Sequence, residues 1–283
     1  MLYAYQALDM HQSFGDAFMN RPIALITGAS SGIGAALAAV LAKEGYDLVL
    51  VARRKDRLAT LAIEMEAFGA KSETLAADLS ERTGLQRAVD RAGAGDIDLL
   101  VSNAGVSAYG PFAEIDQAEL EQAWTLNADA TPVLTRAVLP AMLDRGRGGV
   151  ITVASNLAFS AGVSATPAVA GRALPKRALY VGAKAGTIAF TRVLATELAD
   201  TGVGATVVCP GLVSSEWNGG ASQVPNAMTP QNVARAAWAS FSRGEVMCFP
   251  GLEAVALLDQ LAETERLIMG GNLGSDLAAR YRD

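Results

Sequence analysis

Residues 23–34 read Ile-Ala-Leu-Ile-Thr-Gly-Ala-Ser-Ser-Gly-Ile-Gly, four apolar residues running into a glycine-rich turn. An alanine-rich stretch follows at 35–44 and stops at Gly45. A strand, a glycine turn and a helix in this order form a site for a phosphate group. Glycine lets the backbone turn tightly and lets a pyrophosphate approach without meeting a Cβ. The free N–H groups and dipole at the helix start then favour the anion. Gly28, Ser30, Ser31, Gly32, Ile33 and Gly34 are therefore the expected cradle of a dinucleotide phosphate.

Outward from this turn, strand-like and helix-like stretches alternate. The apolar runs predict strands at 23–26, 47–51, 75–77, 97–101, 149–154, 204–209 and 246–249. Helical stretches are expected at 35–44, 55–68, 116–143, 179–200 and 252–268, with another between Asp78 and the fourth strand. One more starts at Thr229-Pro230, where threonine caps and proline takes the first turn. Pro132 and Pro140 predict a kink or a late stop in 116–143. Such alternation specifies an α/β fold, a doubly wound parallel sheet of Rossmann type with helices on both faces. Residues 21–283 are expected to form a single domain, with residues 1–20 as an N-terminal arm on the surface or against a second subunit. Residues 159–178, rich in Gly, Pro, Ser and Ala, read as an inserted loop near the substrate.

Composition narrows the function. The 283 residues carry a net charge of −6, which argues against a nucleic-acid partner. One histidine and two cysteines do not supply the usual zinc ligands, so no metal is expected, and two thiols make no disulfide framework. No apolar run approaches the roughly 18 residues of a membrane span. The first twenty residues lack a secretory signal, so a cytoplasmic location is expected.

The second strand indicates the cofactor. An NAD site carries an acid about 20 residues past the turn to hold the ribose hydroxyls. Here the strand ends Val51-Ala52-Arg53-Arg54, and guanidinium groups suit a 2′-phosphate. The expected cofactor is NADP(H), with Arg53 the better candidate of the two arginines. Further on, Tyr180-Val181-Gly182-Ala183-Lys184 puts a phenol and an ammonium four apart, on one face of a helix. A nearby ammonium lowers a phenol's pKa, which makes the pair a candidate general acid/base.

Taken together, the turn TGASSGIG, the residues Asn103-Ala104-Gly105, Ser155 after the fifth strand, the Tyr180/Lys184 pair and Pro210-Gly211 resemble the short-chain dehydrogenase/reductase family, in order from about residue 23 to 217. The resemblance implies an oxidoreductase moving hydride between NADP(H) and a small carbonyl or secondary alcohol. It makes Tyr180 the acid/base, Lys184 its pKa-lowering and ribose-binding partner, Ser155 the group bonded to the substrate oxygen, and Asn127 the holder of a relay water. It also implies that Asn103, Ala104 and Gly105 line the cofactor, that Asp78 and Leu79 contact adenine, and that Pro210, Gly211, Val213 and Ser215 hold the nicotinamide. Serine stands at 215 where the family usually has threonine, and Ser155 and Tyr180 are further apart than usual. By position, Ser107, Tyr109, Leu157, Leu212 and Trp217 are expected around the substrate, and the 159–178 loop is expected to form a wall or lid over it. Arg172, Lys176 and Arg177 read as a solvated face of that loop. The family usually forms homodimers or homotetramers through the helices after strands four and five, and the same is expected here. A non-catalytic dinucleotide sensor, an NAD-dependent alcohol dehydrogenase and a nucleotide-sugar epimerase or dehydratase are the other readings. The filled catalytic positions and the short stretch after Pro210 weigh against the first and last.

Overall fold

Seven strands pair in parallel, in the order β3-β2-β1-β4-β5-β6-β7. They are β1 (Ile23–Thr27), β2 (Asp47–Ala52), β3 (Ser72–Ala76), β4 (Ile97–Ser102), β5 (Gly148–Val153), β6 (Val203–Val208) and β7 (Met247–Cys248). The computed structural model describes residues 21–163, 174–216 and 226–282. Expectations for residues 1–20, for 164–173 of the inserted loop with Arg172, and for Trp217 lie outside the described residues. After β3 the chain crosses back to lay β4 on the free side of β1, with Leu25 paired to Val49 on one side and Leu100 on the other. This reversal leaves a crevice at the carboxyl ends of β1 and β4, the usual ligand position of a doubly wound sheet.

The period of two along each strand divides the core into two layers. Ala24, Ile26, Leu48, Leu50, Leu99, Val101, Ile151 and Val153 face one layer with Leu37 and Leu41 of helix α1 (Gly32–Lys43), Leu58 of α2 (Lys55–Glu66) and residues of a late helix named below. Leu25, Val49, Leu100, Val150 and Val203 face the other. There they meet Ala88 of α3 (Arg82–Ala92), Leu134 and Met142 of α5 (Ala130–Arg145), and Leu194 of α6 (Ala178–Glu197). The late helix of the first layer is α7 (Pro230–Ser242), which contributes Val233 and Phe241. Its start follows the sequence reading: the Thr229 hydroxyl accepts from Asn232 N at 3.2 Å, with Pro230 in the first turn.

The long helical segment differs from expectation in how it is interrupted. Helix α4 (Gln117–Trp124) meets α5 through a π turn, Thr125–Asp129, which centres the irregularity on Asn127. Pro140 is accommodated inside α5. Among the described residues no helix is long and apolar enough to cross a membrane. The chain divides into two compact units, Met1–Pro250, which holds the sheet, and Gly251–Asp283, which holds helix α8 (Ala256–Gly271).

Candidate active site

The glycine turn and the end of β4 are bonded into one surface. Gly28 and Gly32 adopt φ of +67° and +57°, which an L side chain resists. Asn103 Nδ2 donates to the Thr27 carbonyl at 2.9 Å, and the Thr27 hydroxyl accepts from Asn103 N at 2.9 Å and Ala104 N at 3.0 Å. A Cβ on Gly34 would run into the Gly28 carbonyl and lie 2.7 Å from Asn103 Nδ2. Only glycine at position 34 lets the first turn of α1 lie this close to the Gly28 carbonyl. Thr27 is the residue the sequence reading passed over here; its signal is a hydroxyl at the last position of the first strand.

The two arginines after β2 point to different partners. Arg53 lies 3.6 Å from Asp78, with its side chain largely exposed. Partial burial pushes the Asp78 carboxyl up, but hydrogen bonds from Ser80 and the Arg53 charge hold it below its usual value. Arg54 reaches back over the turn. Its Nε and Nη2 donate to Ser30 Oγ at 3.1 and 2.8 Å, and Nη2 donates to Ser31 Oγ at 2.7 Å. Its Nη1 lies 2.9 Å from Glu216 Oε2, and Arg57 Nη1 donates to both oxygens of the same carboxylate at 2.6 and 2.7 Å. Hydrogen bonds from Arg57 and then Arg54 hold Glu216 below the usual carboxylate range. Two guanidinium groups on a carboxylate, with two hydroxyls beside one of them, are a donor set that also fits a phosphate monoester. Neither Arg57 nor Glu216 was legible as a site residue, since nothing in the sequence marks a contact across so long a separation.

Ser155, Tyr180 and Lys184 converge at the carboxyl end of β5. Ser155 lies two residues past the end of that strand and caps a 3-10 turn, its hydroxyl accepting from Leu157 N at 3.2 Å. Tyr180, in the first turn of α6, is hydrogen-bonded to Ser155. Burial pushes the Tyr180 phenol well above its ordinary value; Tyr109 adds to this and Ser155 opposes it. Lys184, one turn on and buried, donates to the Val153 carbonyl at 2.9 Å. Burial lowers its pKa to about 8, with a smaller opposing effect from Cys209. Asn127 accepts from Val106 N at 3.0 Å and donates to the Val106 carbonyl at 2.9 Å, fastening the loop after β4 to the π turn.

Loops complete the surroundings. Ala108, at φ +42°, turns the chain so that the Tyr109 ring meets Tyr180 edge-on at 5.2 Å. Gly110 N donates to the Lys176 carbonyl at 3.0 Å, tying this loop to the end of the inserted one. Arg177 is not a solvated charge: it donates to the Ser160 hydroxyl at 2.7 Å, to the Ser160 carbonyl at 2.9 Å and to the Pro175 carbonyl at 3.1 Å, which staples the loop's two ends. Beyond β6, the Pro210 carbonyl accepts from Asn156 N at 3.0 Å, and Gly211 faces the Asn156 amide. Val213 bridges to Met228, and Ser215 Cβ stands 3.5 Å from where a side chain on Gly32 would begin. Leu79 is buried in the core layer beside α3.

Residues 22–225 match the family model for short chain dehydrogenase. A ketoacyl reductase, HetN, of Nostoc sp. is 35% identical over 75% of this chain and 72% of its own. The fold is similar to that of a short-chain dehydrogenase from Sphingobium yanoikuyae solved with NADPH, with a TM-score of 0.83 and 31% identity over 92% of this chain and all (100%) of that one. A bulky-bulky ketone specific alcohol dehydrogenase from Comamonas testosteroni superposes as well, with a TM-score of 0.83 and 27% identity over 94% of this chain and 100% of its own.

Proposed function

The chain belongs to the short-chain dehydrogenase family, and on that premise we propose that it is an NADP(H)-dependent oxidoreductase of a small carbonyl/secondary-alcohol pair, with Tyr180 as its general acid/base. The observation that carries the reading is the buried Tyr180 phenol, hydrogen-bonded to Ser155 one helical turn from a buried ammonium. Bound nicotinamide supplies or takes the hydride. In reduction, Ser155 and Tyr180 hold the carbonyl oxygen, on which negative charge develops as the carbon accepts hydride. Burial keeps the phenol neutral, so Tyr180 has a proton to give to that oxygen. Lys184 returns a proton to the phenolate side of the site. Both polar ends of the Asn127 side chain are bonded to Val106, so the acceptor for a relay water is assigned to the π-turn main chain, where the helical carbonyl ladder is loosened.

The 2′-phosphate falls to Arg54, Ser30 and Ser31, the group already assembled over the turn, with Arg53 turned to Asp78. The NADPH complex of the Sphingobium yanoikuyae relative supports NADP(H) as the cofactor. The substrate is expected against Tyr109 and Leu157. A second copy of the chain is the expected neighbour of α4–α6, where Trp124, Val133 and Val193 are exposed.

Titration of NADPH and NADH into wild type, Arg54→Ala and Arg53→Ala tests the cofactor. Losing a charge-assisted pair of about 1.5–3 kcal/mol weakens NADPH by roughly ten- to a hundredfold in Arg54→Ala, with NADH little changed. Equal affinity of wild type for both cofactors refutes the assignment. Tyr180→Phe, assayed on a ketone panel with NADPH, tests the chemistry: retained turnover would remove Tyr180 from the mechanism.

A further inference from the structure

Glu216 belongs to the loop expected to hold the nicotinamide, yet its carboxylate lies at the opposite, adenosine end of the turn. It takes three close contacts from two guanidinium groups, one from Arg54 at 2.9 Å and two from Arg57 at 2.6 and 2.7 Å. Ser215, its neighbour, packs across Gly32 of the phosphate turn. At its other end the loop is pinned to Met228 through Ser214 N to the Met228 carbonyl at 2.8 Å and Met228 N to the Leu212 carbonyl at 2.9 Å. The strand of chain 211–216 is thus drawn over the turn by an anion lodged on the arginines.

We infer that Glu216 is an internal competitor of the cofactor's 2′-phosphate: its carboxylate holds loop 211–216 on Arg54 and Arg57 until a 2′-phosphate takes its place. The inference rests on the NADP(H) reading above. A phosphate monoester carries about −1.5 to −2 charges against −1 for a carboxylate, and offers three acceptor oxygens, so it wins the guanidinium groups. One guanidinium can pair with two carboxylates, as Arg91 does with Glu73 and Asp96, but a phosphate of about two negative charges seated on Arg54 repels the Glu216 carboxylate 2.9 Å from the same guanidinium and disfavours it there. The exchange therefore expels Glu216 and frees the loop at the moment the phosphate seats. A cofactor without the 2′-phosphate has nothing to exchange, and leaves the loop tied down. Glu216 is in this sense a specificity-determining residue that couples recognition of the phosphate to release of the nicotinamide loop.

The test uses adenosine 2′,5′-bisphosphate and 5′-AMP as probes, titrated calorimetrically into wild type and Glu216→Gln, with amide hydrogen exchange of the peptide covering 211–216. An exposed ion pair is a modest competitor, so Glu216→Gln is expected to bind the bisphosphate on the order of fivefold more tightly, with 5′-AMP unchanged. In wild type, exchange across 211–216 is expected to rise with the bisphosphate and not with 5′-AMP. If wild type prefers the bisphosphate but Glu216→Gln does not tighten it, or tightens both probes alike, the competition is refuted while the cofactor reading stands. If wild type does not prefer the bisphosphate, the cofactor reading fails and the inference with it.

Discussion

Replacing Lys184 by methionine removes a charge that the fold holds at a cost. The lysine is buried at the carboxyl end of β5 and its pKa falls from 10.5 to about 8. At about 1.4 kcal/mol per unit, that shift costs the folded state about 3 kcal/mol at pH 7, where the amine is charged in both states. The folded-state value lies below the unfolded one, so the folded form holds fewer protons between pH 8 and 10.5, and this cost fades as pH rises through that window. By pH 10 about 1 kcal/mol of it remains. Methionine fills nearly the same volume and forfeits the bond to the Val153 carbonyl, about 1 kcal/mol. Lys184→Met is therefore expected to be more stable than wild type by about 2 kcal/mol at pH 7, and inactive. Urea denaturation of both proteins at one protein concentration, without nicotinamide, at pH 7 and pH 10 reads the effect. A variant no more stable at pH 7, or a gap that fails to narrow by about 2 kcal/mol at pH 10, would refute the account of a charge strained by burial.

Gly34→Ala is expected to lose about 1–3 kcal/mol of stability and at least tenfold in NADPH affinity, because its methyl group meets the Gly28 carbonyl and the Asn103 amide; unchanged melting and cofactor titrations would show that the turn yields freely. Tyr109→Phe keeps the ring against Tyr180 but removes a hydroxyl that raises the Tyr180 pKa. Alcohol oxidation needs the phenolate, so its rise with pH is expected to move to lower pH in this variant, while a pH profile identical to wild type would remove Tyr109 from the proton chemistry.

The alternation of strands and helices along the chain was legible because it rests on local pattern. Apolar runs of four to six residues, followed by Thr27, Ser102, Ser155 and Pro210, mark where the carboxyl edge of the sheet must lie. Elements fixed by long-range contact were harder to read. Strand β3 begins at Ser72 rather than at 75 because it is an edge strand, and its polar Ser72, Glu73 and Thr74 need pair only with β2. The π turn at Asn127 left no trace in the spacing of apolar residues; it is held by a side-chain clasp to Val106. The choice between Arg53 and Arg54 turned on a single position. Successive residues leaving a strand point to opposite sides, so one step of register decides which guanidinium meets Ser30 and which meets Asp78. The Arg177 staple depends on where the two ends of the inserted loop meet, which composition alone does not encode.

The burial that strains Lys184 also fits it to its proposed work. Were the amine to keep its ordinary pKa, it would hold its proton far too tightly to pass it on at neutral pH; a proton donor serves best when its pKa lies near the working pH. At about 8 the amine is still mostly charged at pH 7, yet only about a unit from release. Tyr180 is pushed the other way by the same burial, so the phenol stays protonated until the substrate oxygen demands the proton. Both groups are thus displaced toward their neutral forms by one physical cause, the dry wall made by β5, β6 and α6, where Ala154, Ile188, Val207 and Cys209 pack together. Filling that wall with polar side chains would restore stability to the lysine, and would return its pKa to where proton release at neutral pH is slow.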